Sequence, residues 1–253
     1  MKKNYSLSVF KMYMSVFTLA VLITTNTAAI ASDSFWPRRI NGSGQIVSQT
    51  RELPWFNTIS VSSAINVFIT QGEYFEVKVK ADDNLIEYIK TEVRKDELVI
   101  GMTTNINTGR SSTTEVHITA PAFLSVKASG ASNVSSRGII RQENIQIRGS
   151  GAADIRLNLD AAFMELKCSG ASDARIEGFV QSAQVELSGA SDFKSGDFLC
   201  DVLDVRLSGA SSMRIGVVEA ATGRLSGASD LHVKGNPRMD IRTSGASSVR
   251  NVR

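Results

Sequence analysis

The chain has 253 residues, of which 42% are hydrophobic, and carries 28 Lys and Arg against 25 Asp and Glu. Residues 1–31 hold three Lys and no acid, so the remainder is formally neutral, with 25 basic and 25 acidic residues. The length suits one long core or two domains, and the neutral balance gives no signature of a nucleic-acid-binding or membrane-surface protein.

Residues 1–31 have the pattern of an export signal. Lys residues precede an apolar run from Met12 to Ile23, and Ala29-Ile30-Ala31 supplies small residues for cleavage before Ser32. The apolar run is too short to span a bilayer, which argues against an uncleaved membrane anchor. We expect an exported protein in the periplasm, associated with the outer membrane or on the cell surface, with no transmembrane segment in the mature chain.

Residues 32–122 alternate like strands but lack a regular repeat. The segment Trp55 to Thr70 alternates at Phe56, Ile59 and Val61 and again at Ile65, Val67 and Ile69, and Phe75, Val77 and Val79 continue the strand pattern. The segment Asp82 to Lys90 begins with capping residues and spaces its apolar residues like a short helix. We predict an irregular N-terminal β region, with one short helix or turn, that caps the repeats that follow.

Residues 123–253 contain a Ser-Gly-Ala-Ser-Asp motif in seven variant copies. Their spacings are 21, 19, 19, 20, 18 and 18 residues, which is the period of a solenoid. The seven glycines are Gly130, Gly151, Gly170, Gly189, Gly209, Gly227 and Gly245.

Apolar residues alternate with polar ones on both sides of each motif. Before Gly189 stand Val185 and Leu187, and after Gly151 stand Ile155 and Leu157. This period of two predicts two strands, each with one buried face, joined at a corner. Glycine permits positive φ at the corner, and the alanine that follows every one of the seven suggests a site with room only for a methyl group. The prediction is a parallel β-helix with one coil of about 18–21 residues per repeat.

Several segments resemble the bacterial family called putative auto-transporter adhesin, head GIN domain. The resemblance covers nearly the whole chain after the export signal and implies an exported right-handed parallel β-helix with an adhesive or surface role. It rests on the corner motifs and on Phe56-x-x-Ile59, Ile65-Asn66-Val67-x-Ile69-Thr70-Gln71-Gly72, Asp82-x-Asn84-Leu85, Leu98-x-Ile100 and Pro121-x-x-Leu124.

Two polar rows follow each corner. Stacked coils place equivalent residues about 4.8 Å apart, so the third residue after each glycine forms an acidic or polar row and the fifth forms a basic row. The candidate binding residues in these rows are Asp154, Arg156, Asp173, Arg175, Asp192, Lys194, Arg214, Asp230 and His232. On the incoming strand, the third residue before each glycine gives a second, mainly basic row: Lys127, Arg148, Lys167, Glu186, Arg206, Arg224 and Arg242.

The rows after the corner have more than one interpretation. They could neutralise one another and prevent register slips, with corner Ser hydroxyls and backbone N–H groups also bonding the carboxylates. They could instead form a long polar surface for a glycan, an acidic polymer or a cell-surface component. Stacked carboxylates could also bind calcium, but the Arg or Lys beside Asp154, Asp173 and Asp192 argues against it. We expect no metal and no cofactor.

We expect a binding or structural protein without catalytic residues. The alternative is a polysaccharide-degrading enzyme, since some β-helices have that activity. Hydrolysis would need two carboxyl groups with separate roles, whereas the acids here recur in every coil. Neither His117 nor His232 has a Ser or Cys arrangement that suggests a nucleophile.

Two further features bear on assembly and redox state. Cys168 lies at an inward position and Cys200 lies off that row, so buried free thiols are expected, although an exported protein permits a disulfide.

The sequence shows no cap after Val249, so the last strand would present unpaired backbone groups. Pairing with a second copy, giving a homo-oligomer, is one consequence, and a frayed terminus is the other.

Overall fold

The repeats fold into a stack of parallel β-coils, and the predicted β-helix is confirmed. The computed structural model describes residues 38–103, 106–108 and 112–252. About seven turns of about 19 residues build the solenoid. The expected export signal, residues 1–31, lies outside the described residues. In the described ranges, no helix is long and apolar enough to cross a membrane.

Strands make up nearly all of the regular structure. A single-turn 3₁₀ helix spans Ile86–Tyr88. The strands are β1 (Arg38–Ile40), β2 (Ile46–Arg51), β3 (Thr58–Val61), β4 (Asn66–Gln71), β5 (Glu76–Asp82), β6 (Ile89–Arg94), β7 (Glu97–Met102), β8 (Ile106–Thr108), β9 (Thr114–Ala120), β10 (Ser125–Ala128), β11 (Asn133–Gly149), β12 (Asp154–Cys168), β13 (Asp173–Leu187), β14 (Asp192–Leu207), β15 (Ser212–Leu225), β16 (Asp230–Lys234), β17 (Arg238–Thr243) and β18 (Ser248–Val252).

The core is a set of apolar rows inside the coils. Ile147 pairs with Leu166, Leu166 with Val185 and Val185 with Val205, and all four are fully buried. Burying each such side chain contributes about 1.5–3 kcal/mol relative to exposure. Because strand side chains alternate in direction, the residues between them face solvent in equally regular rows.

The corner glycines adopt the conformation that the motif predicts. All seven have φ between +69° and +78°. From the second corner onward, a Cβ on the glycine would lie 2.5–3.0 Å from the carbonyl oxygen of the corner glycine one coil earlier. The N–H of the following alanine donates to that same oxygen, as Ala190 does to Gly170 at 2.8 Å. Glycine is therefore required both for its backbone conformation and for the close approach of successive coils.

The expected tight site at the corner alanine is wrong. All seven of these alanines are exposed, and the next residue is the one that turns inward. The positive φ at glycine directs the alanine side chain outward, so alternation buries its successor. That successor is a serine exposed by at most 1% in five corners: Ser132, Ser172, Ser191, Ser211 and Ser229.

The buried serine hydroxyls also have a different partner from the one expected. Each donates to the carbonyl oxygen of the serine three residues earlier, at 2.7–2.9 Å, and none of the five bonds an Asp carboxylate among the described residues. A buried hydroxyl needs an acceptor, and the corner carbonyl is the nearest one. The second corner has Ala153 instead, which is equally buried.

The solenoid also extends into the N-terminal region. β3 pairs in parallel with β10 and β7, and β4 pairs in parallel with β11 and β9. The corner between β3 and β4 has Ser63 at φ +71°, in the place of the repeat glycine. Three other strand pairs are antiparallel: β5 with β9, β2 with β5, and β6 with β7. These antiparallel pairs end the run of parallel strands.

The expected helix is the 3₁₀ turn, but Asp82 does not cap it. The N-cap residue is Leu85, and no side chain bonds the helix there. The fully buried Asp82 carboxylate accepts hydrogen bonds from the backbone N–H groups of Gly44 and Thr113, each at 2.7 Å. Asp82 therefore connects two distant backbone segments to the end of β5.

Candidate functional site

The polar rows after the corner form two ladders, which we call the corner ladders; a register irregularity after Ala174 interrupts the basic one between β13 and β14. The acidic ladder occupies the first position of each strand after the corner, where Asp154 pairs with Asp173 and Asp173 with Asp192. It continues through Ser212 and Asp230. The basic ladder lies two residues further along each strand. In it, Arg156 pairs with Arg175, Lys194 pairs with Arg214, and Arg214 pairs with His232.

Ion pairs within single coils compensate part of the acidic ladder. Arg156 contacts Asp154, and Lys194 Nζ lies 2.8 Å from Asp192 Oδ2. The hydrogen bond and the charge of Asp192 raise the pKa of Lys194 above its ordinary value. Two carboxylates one coil apart repel by about 1 kcal/mol in water and by about 3 kcal/mol at an effective dielectric constant near 20, so these cations stabilise the stack.

Only part of the predicted set surrounds one depression. Six of the nine candidate residues line it: Asp154, Arg156, Asp173, Arg175, Asp192 and Lys194. Its volume is about 50 Å³, which is far below the roughly 300–1,000 Å³ of small-molecule pockets. The other three candidates, Arg214, Asp230 and His232, continue the ladders on later coils. The corner ladders therefore form an extended surface and not a pocket.

The acid–base pattern also reaches the N-terminal coils, where the sequence shows no corner glycine. Glu115 and His117 of β9 are two residues apart, and His117 Nε2 lies 2.9 Å from Glu115 Oε2. Burial alone would raise the pKa of Glu115, but the hydrogen bonds and charges of His117 and Lys80 outweigh it and lower that pKa. The His117 ring stacks on Phe68 with 4.9 Å between centroids.

A larger groove lies on the incoming side of the corner. It has a volume of about 400 Å³ and spans five rungs, from Ser60 to Glu186 and Ser188. Its cations belong to the incoming basic row: Lys127, Arg148 and Lys167. Four rung steps of about 4.8 Å make it roughly 19 Å long. We call this feature the basic groove.

The sequence shows the cations of this groove but not the groove itself. Inward residues Ala128, Gly149 and Cys168 contribute to the lining, whereas the next coils carry Leu187 and Leu207 at the same position. The groove thus coincides with the small residues of that row. The three small inward residues in successive coils are the sequence signal from which this groove could have been predicted.

Neither cysteine adds a reactive or metal-binding group. Cys168 and Cys200 are buried and free, as expected. Burial raises the pKa of the Cys168 thiol to about 11 and that of the Cys200 thiol to about 12, so both stay protonated at neutral pH. Within the part of the chain that the structure describes, no three His, Cys, Asp or Glu side chains converge on a point that could hold a metal ion.

Comparisons with known proteins agree with this architecture. A putative adhesin from Bacteroides fragilis NCTC 9343 is 18% identical and superposes with a TM-score of 0.78, covering 84% of this chain and 100% of its own. A putative adhesin from Parabacteroides merdae ATCC 43184, at 16% identity, and a putative lipid binding protein from Parabacteroides distasonis ATCC 8503, at 14%, each superpose with a TM-score of 0.69, covering 85% of this chain and 100% of their own. At these identities the likeness shows a shared fold.

The sequence itself identifies the family. None of the curated proteins that were compared matches the chain. The model of the family described as "Putative auto-transporter adhesin, head GIN domain" matches residues 55–237, which include β3 to β16 and six of the seven corner glycines. This protein therefore belongs to that family.

Proposed function

We propose that this protein is an exported, non-catalytic binding protein of adhesin type, which contacts a glycan or another cell-surface component through its corner ladders. The observation that carries the proposal is the register of the coils, which repeats an acid–base neighbour pair at rung spacing along one side of the solenoid. A repeating surface of this kind suits a repeating or extended ligand better than a single small molecule.

The pairing of the carboxylates supports binding over hydrolysis. Asp154 and Asp192 contact cations of their own coils, as do Glu165 with Lys167 and Asp204 with Arg206. A glycosidase needs one carboxylic acid that stays protonated and a second that stays ionised across the scissile bond. Each of these carboxylates is instead paired with a cation of its own coil, and such an ion pair suits recognition and not acid catalysis.

The family and its neighbours support an adhesive role outside the cell. The family and two proteins of similar structure are named as adhesins. A third similar structure is named a lipid binding protein. The corner ladders are polar and charged, so for this chain we favour a polar ligand over a lipid. The lysines and apolar run of residues 1–31 are the basis for proposing export.

A glycan array with the mature protein tests this function. We expect binding to at least one glycan class without new reducing or unsaturated ends in solution. Arg175→Ala should weaken that binding about 10- to 100-fold, because one charge-assisted hydrogen bond contributes about 1.5–3 kcal/mol. Lys234→Ala, an exposed cation outside the corner ladders, is the matched control. Turnover of a glycan, or equal affinity of the Arg175→Ala and wild-type proteins, would contradict the proposal.

We also propose that the last coil pairs with a second copy of the chain. In the described residues, β17 pairs only with β15 and β18 only with β16, which leaves one edge of each strand open. Met239, Ile241 and Val249 pack on the core but are only partly buried. An open edge beside incompletely covered apolar residues favours strand addition. Light scattering should detect a dimer that the edge-blocking substitution Ile241→Pro abolishes; a monomer at high concentration would refute the pairing.

A further inference from the structure

We propose that the basic groove binds an acidic polysaccharide, with Arg148 holding one of its carboxylate or sulfate groups. This inference rests on the proposed binding role but not on the corner ladders, which lie on the other side of the corner. It assigns a second site and a ligand class to that site.

The charges along the groove single out Arg148. Lys127 Nζ lies 3.1 Å from Glu97, and Lys167 Nζ lies 2.7 Å from Glu165, so both lysines have carboxylate partners. Arg148 lies on the rung between them, is exposed, and forms no ion pair with any described residue. The residue two positions earlier on its strand is the neutral Gln146, where the next coil has Glu165.

Hydroxyl groups with free bonding capacity lie beside this guanidinium. The serines that precede the corner glycines form a row through the groove, and two of them, Ser129 and Ser188, donate to carbonyl oxygens of the preceding coil. The hydroxyls of Ser150 and Ser169 make no hydrogen bond with the described residues. Arg148, Ser150 and Ser169 therefore place one unpaired cation and two available hydroxyls on adjacent rungs of one groove.

This chemistry matches an anionic sugar chain. A guanidinium binds carboxylate and sulfate groups through two parallel hydrogen bonds, and hydroxyls can both donate to and accept from sugar hydroxyls. The groove runs along the solenoid for roughly 19 Å, which accommodates a chain and not only a single ring. Lys127 and Lys167 lie one rung to either side, so a chain bound along the groove passes cations on three consecutive rungs.

Two other polyanions fit less well. Single-stranded nucleic acid is held by base stacking on aromatic side chains, and the residues that line the groove include no aromatic side chain. An anionic membrane presents a flat surface, whereas Ser150 is partly recessed at the corner and the lining contains no large apolar side chain that could enter the bilayer.

The test uses two acidic polymers and the uncharged methyl ester of one of them. Calorimetric titration of the mature protein with polygalacturonate, and separately with chondroitin sulfate, should show binding to at least one of them that weakens from about 50 mM to about 200 mM salt. Fully methyl-esterified polygalacturonate keeps the backbone but loses the charge, and should bind at least about tenfold more weakly than polygalacturonate. Arg148→Ala should weaken binding about 10- to 100-fold, as expected for one charge-assisted contact.

The matched control is Arg224→Ala. Arg224 occupies the same incoming row and is also exposed, but it lies outside the groove. The Arg224→Ala substitution should leave the affinity for the acidic polymer within about twofold of wild type, because Arg224 lies away from the bound chain and only removes one positive charge from the protein. The inference would be overturned if both variants lost the same affinity, or if Arg148→Ala lost none. It would also be overturned if neither acidic polymer bound, or if single-stranded DNA or anionic vesicles bound more tightly. Binding of neutral glycans that depends on Arg175 but not on Arg148 would refute the groove site while leaving the proposed function in place.

Discussion

At the scale of single residues, five of the seven corners divide two tasks between a glycine and a serine. The glycine allows the backbone to reverse and lets successive coils approach, while the buried serine two positions later satisfies a corner carbonyl. The alanine between them is exposed and makes neither contribution through its side chain. The repeated tripeptide therefore contains two constrained positions and one permissive position.

Gly189→Ala should be strongly destabilising. The new side chain would sit on a backbone with φ +75° and would place its Cβ 2.5 Å from the carbonyl oxygen of Gly170. Positive φ alone costs roughly 1–2 kcal/mol, and the clash with backbone should bring the total to about 3 kcal/mol or more, measured by urea denaturation.

Gly138→Ala separates these two effects. Gly138 also has positive φ, +90°, but a Cβ there would meet nothing within 4 Å. It should cost only the roughly 1–2 kcal/mol of the backbone conformation. If Gly138→Ala destabilised the protein as much as Gly189→Ala, close packing of the corners would not explain the glycine row.

At the scale of elements, the strands and their register were predictable, and the closing features were not. Inward rows such as Leu166 and Val185 follow from an alternation of period two combined with a nearly constant coil length. The corner at Ser63 has no glycine, so the spacing pattern could not detect it. The basic groove depends on side-chain volumes in three successive coils, and its shape appears only when the coils are stacked.

The end of β5 is a second feature that local sequence rules misassign. Asp82 precedes a helical turn and so resembles a capping residue, yet its bonds reach the N–H groups of Gly44 and Thr113, which are remote in sequence. Tertiary contacts override the local preference because a buried carboxylate requires donors, and two backbone N–H groups supply them. The family resemblance at Asp82-x-Asn84-Leu85 thus marks a connection between segments.

Asp82→Asn should destabilise the N-terminal region by about 2–3 kcal/mol. The amide group would replace one of the two acceptor oxygens with a donor that faces a backbone N–H, and the one remaining bond would lose the carboxylate charge. Hydrogen exchange of the Gly44 and Thr113 amides should accelerate.

Asp83→Asn is the matched control for that substitution. Asp83 is adjacent but exposed, and its carboxylate accepts a bond from the Ser43 hydroxyl that asparagine can also accept. Its effect should stay within about 0.5 kcal/mol. Equal effects of the two substitutions would show that burial of the Asp82 carboxylate is not what stabilises this region.

At the scale of the whole molecule, one rule generates both the core and the surface. Inward rows add to a continuous apolar interior, and outward rows such as that of Asp154, Asp173 and Asp192 become ladders of like side chains. Ladders of like charge are unfavourable by themselves, so acidic and basic rows lie two residues apart, where cations can reach the carboxylates of their own coil. The solenoid can therefore carry a dense charged surface at neutral overall charge.

This compensation predicts that the stability of the protein does not depend on calcium. The acidic ladder superficially resembles a site for a hard cation, but Arg156 and Lys194 already contact its carboxylates, and a bound ion would have to displace them. Addition of a chelator should leave the melting temperature within about 1 °C of its original value, because removing an ion that does not bind the folded state shifts no equilibrium. The double variant Arg156→Gln/Lys194→Gln is the informative comparison, since it removes the competing cations while keeping side-chain length. In that variant calcium should raise the melting temperature, whereas a large fall on chelation of the wild-type protein would show that the ladder binds metal despite its cations.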